Sequence, residues 1–236
     1  MMERLVATLK LDARVQFRHK FYHVSLVAAL MLGLGVRQLG DPWLVTTLLP
    51  VVFLVGVGIM ALFYVAALIV FERDQHTLDA MFVSPLRLTE YLNSKVVTLT
   101  ALTLVEGATL VLVSLGVLGT NWLLLIVGTV LLAAMLILTG TILIVRHATI
   151  TDFLIPAVLV TVPLELPVTY FAGLSDSPLW LLIPSSAPTM LIWGAWHALE
   201  PWQLVYALGY SAVVLGVGYR WALGAFTKYV LAQERS

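Results

Sequence analysis

Glu72-Arg73-Asp74-Gln75-His76-Thr77-Leu78-Asp79-Ala80-Met81-Phe82-Val83-Ser84-Pro85-Leu86-Arg87-Leu88-Thr89-Glu90-Tyr91-Leu92-Asn93-Ser94-Lys95 is the longest run of concentrated charge in this chain. Trp43 to Phe71 precedes it without a single charge, and the apolar stretch Tyr91 to Leu118 overlaps its end. Apolar, polar, apolar at these lengths reads as two membrane spans joined by a segment outside the bilayer. Something outside the membrane must meet that segment.

Composition agrees. Of 236 residues, 61% are hydrophobic and 11% charged, with a mean hydropathy of +1.00. Soluble domains carry about 25% charged residues, so this chain cannot cover a surface with polar groups. It reads as one all-α, multi-pass membrane domain over residues 1–236. Lys+Arg and Asp+Glu balance at 13 each, so net charge points to no nucleic acid and no acidic partner. There is no cysteine, hence no disulfide and no thiolate metal site.

A spanning helix needs about 20 apolar residues. Six segments qualify: Phe21 to Leu39, ended by Gly40-Asp41-Pro42; Trp43 to Phe71; Tyr91 to Leu118, ended by Gly119-Thr120-Asn121; Trp122 to Val145; a span from near Asp152 carrying Pro156, Pro163 and Pro167; and Trp202 to Phe226. The second is longer than the ~30 Å hydrocarbon core at 1.5 Å per residue. It must tilt, bend near Pro50 or protrude. Between the last two spans, residues 173–201 hold two apolar pieces, Leu179–Ile183 and Met190–Leu199, too short to cross and therefore re-entrant or interfacial. Trp180, Trp193, Trp196 and Trp202 crowd this region, as expected at headgroup level.

Residues 1–20 suggest an amphipathic interfacial helix, with Leu5, Val6, Leu9, Ala13 and Phe17 on one side and Glu3, Lys10, Arg14 and Arg18 opposite. A partly ordered basic tail that only sets topology is the plainer reading. With both termini inside, twelve of the thirteen basic residues fall on cytoplasmic segments, and only Arg37 does not, in keeping with the positive-inside rule. No G-x-x-x-G occurs, so Gly56 and Gly58, or Gly216 and Gly218, hint only weakly at close helix contacts. No internal repeat supports an inverted-repeat transporter.

Enzyme signatures are missing. No G-x-x-x-x-G-K-[ST] is present for nucleotide, and no H-E-x-x-H for zinc. His19, His23, His76, His147 and His197 are scattered. Ser185-Ser186 lacks the glycine frame of a nucleophile elbow and reads as loop chemistry. No cofactor is expected in this chain. Glu106, between Thr103 and Thr109, and Glu165, in Val-Pro-Leu-Glu-Leu-Pro, lie within apolar spans. Charge there costs about 2.5–3.5 kcal/mol on insertion scales, so both should face protein or water. Each is either a polar point on a substrate path or a structural partner for a neighbouring helix or a backbone group freed by proline.

Residues 72–90 have a pattern of their own. Leu78, Met81, Phe82 and Leu86 recur at helical spacing after Asp74 or Thr77 as N-cap. Ser84-Pro85 ends or bends that helix. Thr89 can cap the next span, with Glu90 near its positive end. A short amphipathic helix across the ends of two spans fits; a plain interfacial connection is the alternative.

These residues resemble the membrane subunits of type-2 ATP-binding-cassette (ABC) transporters, in which Glu-Arg/Lys-x-x-x-Thr-Leu-[Asp/Glu] leads into Ser-Pro and then a Lys opening the third helix. Here the run is Glu72-Arg73, Thr77-Leu78-Asp79, Ser84-Pro85 and Lys95, with His76 where a Gly is common. Ser84-Pro85-Leu86-Arg87, Glu90-Tyr91-Leu92, Ser94-Lys95 and Ala187-Pro188 look most like fluoroquinolone-exporter-type permeases. Haem-exporter subunits of cytochrome maturation are the nearest competitor, and a non-transporting membrane anchor is a third reading. The resemblance implies a coupling helix within 72–95 that docks a separate ABC ATPase carrying ATP and Mg. It also implies a second permease half, identical or paralogous, in the plasma membrane of a bacterium or archaeon. Leu78, Met81 and Phe82 would be the buried anchor; Glu72, Arg73, Asp79 and Arg87 would be charged contacts fixing register.

Overall fold

The computed structural model describes residues 2–75 and 87–229, and among them every regular element is helical. Helix α1 (Met2–Arg18) is followed by α2 (Phe21–Arg37), bent from it by 62°. Lys20 makes the corner with φ 62, a left-handed conformation that costs a non-glycine residue about 1–2 kcal/mol. Aromatic packing on both sides holds it: His19 stacks on Phe71 with centroids 4.8 Å apart, and Phe21 on Tyr64 at 5.6 Å.

Helix α1 packs on the bundle through polar residues and not through its apolar face. Val6 and Phe17 are exposed, while Asp12 and Gln16 are buried. The apolar side faces outward, where a bilayer would lie, and polar residues meet the bundle.

Asp41 caps α3 (Pro42–Val52) by accepting from the Trp43 N–H at 2.9 Å. The long second segment is neither simply tilted nor simply straight. Pro50 lies inside α3, and the chain widens directly afterwards into a π-helical stretch, Phe53–Gly58, before α4 (Ile59–Asp74). Proline has no N–H to give and crowds the preceding turn, and a π-bulge relieves such mismatch. α5 (Leu88–Ser114) and α6 (Trp122–Ile144) follow, then α7 (Ile150–Glu165) with Pro156 and Pro163, and the short α8 (Val168–Phe171). A 3₁₀ turn (Pro178–Leu182), α9 (Ser186–Trp193) and α10 (Pro201–Tyr229) complete the bundle.

Among the described residues, four helical stretches are long and apolar enough to cross a membrane: Pro42–Asp74, Leu88–Ser114, Trp122–Ile144 and Ile150–Phe171. The bent α1–α2 pair makes up to five. The chain is a multi-pass, all-helical membrane protein. Helix α10 has the length of a span, but Arg220 and several tyrosines dilute its apolar character.

Close helix contacts form without a G-x-x-x-G motif. A Cβ on Gly140 would lie 2.7 Å from the Leu62 carbonyl oxygen, and one on Gly33 would lie 3.0 Å from that of Leu110. These two glycines let α6 approach α4 and α2 approach α5. Of the glycines singled out by sequence, Gly58 meets the Leu136 side chain, whereas Gly216 faces open space.

Residues 173–201 fold as short pieces. α9 is buried against α6 and α10, with Gly128 of α6 beneath it. Ser185 donates to the Leu164 carbonyl beside Pro163, and Ser186 donates to the Trp180 carbonyl at 2.5 Å. Both serines satisfy broken backbone.

Candidate functional site

One expected cap moves. Asp74 is the last residue of α4, while Thr77, the other candidate cap, lies outside the described residues. The cap of α5 is Arg87, whose N–H donates to the Glu90 carboxylate at 2.9 Å, so Thr89 is already inside the helix. Arg87 and Glu90 therefore close the start of α5 by a local, reciprocal contact.

Along α5, Tyr91, Ser94, Lys95 and Thr98 fall at i, i+3, i+4 and i+7 and so share one stripe. On α1, Asp12 and Gln16 are one turn apart. The stripes meet. Lys95 Nζ lies 2.5 Å from Asp12 Oδ1 and also pairs with Glu72 of α4. Ser94 Oγ donates to Asp12 Oδ2 at 2.5 Å, and Gln16 Nε2 donates to Thr98 Oγ1 at 2.8 Å. Tyr91 Oη donates to Glu72 Oε2 at 2.6 Å, while its ring lies 4.7 Å from the Lys95 ammonium. One cation thus holds two carboxylates, and two hydroxyls help to share their negative charge.

Burial sets the stakes. Lys95 is 1% exposed and Asp12 2%. Removing such ions from water costs several kcal/mol each, recovered only when geometry and further hydrogen bonds are good. Arg73 turns elsewhere: its Nη1 donates to the carbonyls of His147 at 2.6 Å and Ala148 at 3.1 Å, in the α6–α7 connection. Arg146 lies over the rings of Trp221 and Tyr229, and Tyr91 packs on Phe226. The basic end of the bundle joins α1, α4, α5, the α6–α7 connection and α10.

Of the residues singled out by sequence, Glu72 and Lys95 are brought together, Arg73 is diverted, and Asp74 and Arg87 are exposed. Thr77, Leu78, Asp79, Met81, Phe82, Ser84 and Pro85 lie outside the described residues. Asp12, Gln16 and Tyr91 were not singled out for this site. The i, i+3, i+4, i+7 stripe on α5 was a readable signal, but a lone aspartate in a basic helix was not.

The two acidic residues of the apolar spans part company. Glu106 is fully buried in α5 and accepts from Ser25 Oγ of α2 at 3.0 Å, leaving Oε1 without a hydrogen-bond partner. Glu165 ends α7 partly exposed. No group of metal-binding side chains occurs among the described residues.

The comparisons with known proteins agree with this architecture. A profile described as the fluoroquinolones export permease protein family matches residues 3–234. Two proteins named fluoroquinolones export permease protein, from the CDC 1551/Oshkosh and H37Rv strains of Mycobacterium tuberculosis, are each 31% identical to the chain over 244 residues, covering 99% of both sequences. The chain belongs to the fluoroquinolones export permease family, an ABC-type permease family.

Proposed function

We propose that this chain is the membrane half of an ATP-driven exporter with six spans and both termini in the cytoplasm, α10 being the sixth span. A separate ABC ATPase binds ATP and Mg and docks on residues 72–90, and this chain hydrolyses nothing itself. A second permease half, identical or paralogous, completes the path across a bacterial or archaeal plasma membrane. The cargo is a hydrophobic or amphipathic compound moved outward. Fluoroquinolone-type molecules are the first to test, because the relatives carry that name.

The observation that carries this reading is the Asp12–Lys95–Glu72 clamp. The docking segment leaves from the end of α4 and returns at the start of α5, and the clamp fastens both flanks to each other and to α1. A push delivered between the flanks would move three helices as one unit. Leu78, Met81 and Phe82 are the apolar anchor, with Asp79 and Arg87 fixing register. ATP can drive this only if the ATPase contacts differ between its open and closed states.

Co-purification tests the docking step. Leu78→Asp combined with Phe82→Asp should abolish capture of the ATPase while membrane insertion persists; unchanged capture refutes it. Vesicles holding permease and ATPase should accumulate substrate only with ATP, which a non-transporting anchor would not do.

A further inference from the structure

Three cations converge where α6 ends beside α10. Arg146 follows directly on Val145, the C-cap of α6, and Val145 packs with Ala225 and Phe226 of α10. This brings the Arg146 guanidinium against α10. Its Cζ lies 5.9 Å from the centre of the Trp221 ring and 5.4 Å from that of Tyr229. Lys228 Nζ is also 5.4 Å from the Tyr229 ring, so two like charges attend one aromatic side chain. Arg220 and Lys228 stand one turn to either side of Gly224, and the three share a stripe of α10. Arg146, Arg220, Trp221 and Lys228 are all exposed.

These charges differ from the others at this end of the bundle. Lys95 is neutralised by Asp12 and Glu72, and Arg73 is occupied by two carbonyls. Among the described residues no carboxylate pairs with Arg146, Arg220 or Lys228. A guanidinium lying over a ring keeps its edge donors free, so Arg146 still has N–H groups to offer an acceptor outside the protein. There is room for one. A Cβ on Gly224 would meet nothing within 4 Å, which leaves a gap between the two basic side chains of the stripe. The surroundings are those of a bilayer surface. Trp221 is a ring of the type enriched at headgroup level, and Val217 and Val213, one and two turns before it on α10, are exposed apolar residues.

We infer that this gap seats the phosphate of an anionic phospholipid, held by Arg220, Lys228 and Arg146, with an acyl chain running along Val217 and Val213. Arginine meets a phosphate through paired hydrogen bonds and lysine meets it as a point charge. Basic pockets between spans at a membrane surface recognise headgroups by this chemistry. A free phosphate would satisfy the charges but leave the apolar stretch unused, and a choline lipid would bring a further cation into the cluster. The bound lipid would bridge the end of α6 to the end of α10. The site needs α10 to reach the membrane surface here, and to that extent rests on the six-span reading; it needs neither ATPase nor cargo.

The full-length protein is delipidated in detergent and titrated with dioleoylphosphatidylglycerol or dioleoylphosphatidylcholine, and bound lipids are counted by native mass spectrometry. Phosphatidylglycerol should bind the more tightly. Gly224→Glu places a carboxylate between the two basic side chains in open space, so the fold should be kept and phosphatidylglycerol binding weakened by about tenfold, with phosphatidylcholine unchanged. Arg146→Gln/Arg220→Gln/Lys228→Gln should lose about a hundredfold, each cation near a charged surface contributing about fivefold. Arg4→Gln/Lys10→Gln/Arg14→Gln, which removes as much charge from α1, should change little. Equal binding of the two lipids, unchanged binding in Gly224→Glu, or an equal loss in the α1 variant overturns the site. Glycerol phosphate should not displace the lipid; displacement at the concentration at which the whole lipid competes makes this a free-phosphate site and overturns the lipid assignment. On the unaltered chain, phosphatidylglycerol with a photoreactive diazirine in its acyl chain should label peptides containing Val213 or Val217, and labelling confined elsewhere overturns it. ATPase capture decides the export reading and leaves these titrations untouched, so the two can fail separately.

Discussion

Lys95 of α5 and Asp12 of α1 lie 2.5 Å apart, almost wholly out of water, although 83 residues separate them in the chain. This contact turns the N-terminal helix from a surface appendage into part of the bundle. Glu72 completes the arrangement from α4. Any force applied at the α4–α5 connection therefore meets a joint fastened in three places.

Replacing Lys95 by Met strands the buried Asp12 carboxylate and the half-buried one of Glu72. Breaking a buried pair from one side costs about 3–5 kcal/mol, so Lys95→Met should lower the thermal unfolding temperature of the purified protein markedly. Lys95→Met/Asp12→Asn/Glu72→Gln, which removes every formal charge of the trio, should recover most of the loss. A triple variant no more stable than the single one would show that the pairing itself was not at stake.

Tyr91→Phe removes one hydrogen bond to a carboxylate and nothing else. The loss should be about 1.5–3 kcal/mol, with folding and ATPase capture retained. Reconstituted complex should keep hydrolysing ATP while moving less substrate per ATP. An unchanged transport-to-hydrolysis ratio would separate Tyr91 from transmission.

Gly140→Val should be poorly tolerated. Its Cβ would meet the Leu62 carbonyl oxygen and Val65 Cγ1, both at 2.7 Å, and overpacking costs about 1–3 kcal/mol. Gly209→Ala on α10 has nothing within 4 Å of the new Cβ. It should be neutral or raise stability by up to about 1 kcal/mol through helix propensity. Equal unfolding temperatures for the two variants would contradict the α4–α6 approach.

The chain has no cysteine, so single introduced cysteines map its topology directly. In intact cells a membrane-impermeant maleimide should label Thr120→Cys but not His76→Cys or Ser236→Cys. The latter two should react only after permeabilisation. External labelling of Ser236→Cys would remove α10 as the sixth span.

Much of the fold was legible because lipid allows few choices. Long apolar runs must be helices, since no water is available to satisfy exposed backbone. Gly40-Asp41-Pro42 and Gly119-Thr120-Asn121 stop them by turn chemistry that is local, and Asp41 and Asn121 do cap the helices that follow. Proline at position 50 announced an irregularity, but whether it would appear as tilt, bend or π-bulge depended on neighbours such as Gly107, on which the Phe53 ring packs. The cap expected at Thr89 was misplaced because the Arg87 N–H closes on the Glu90 carboxylate and so starts the helix at Leu88.

The sequence by itself determined that this is a helical, multi-pass membrane protein, where its polar segment lies, and which family it resembles. These follow from hydropathy, turn residues and motif order, which are properties of neighbours along the chain. Only the tertiary structure decided that Asp12 faces Lys95, that Glu72 shares the same cation, and that Glu106 of α5 meets Ser25 of α2. Each partner lies on a different helix. A charge buried in a membrane protein is defined by what stands opposite it, and helical periodicity reports only which side of its own helix a residue occupies.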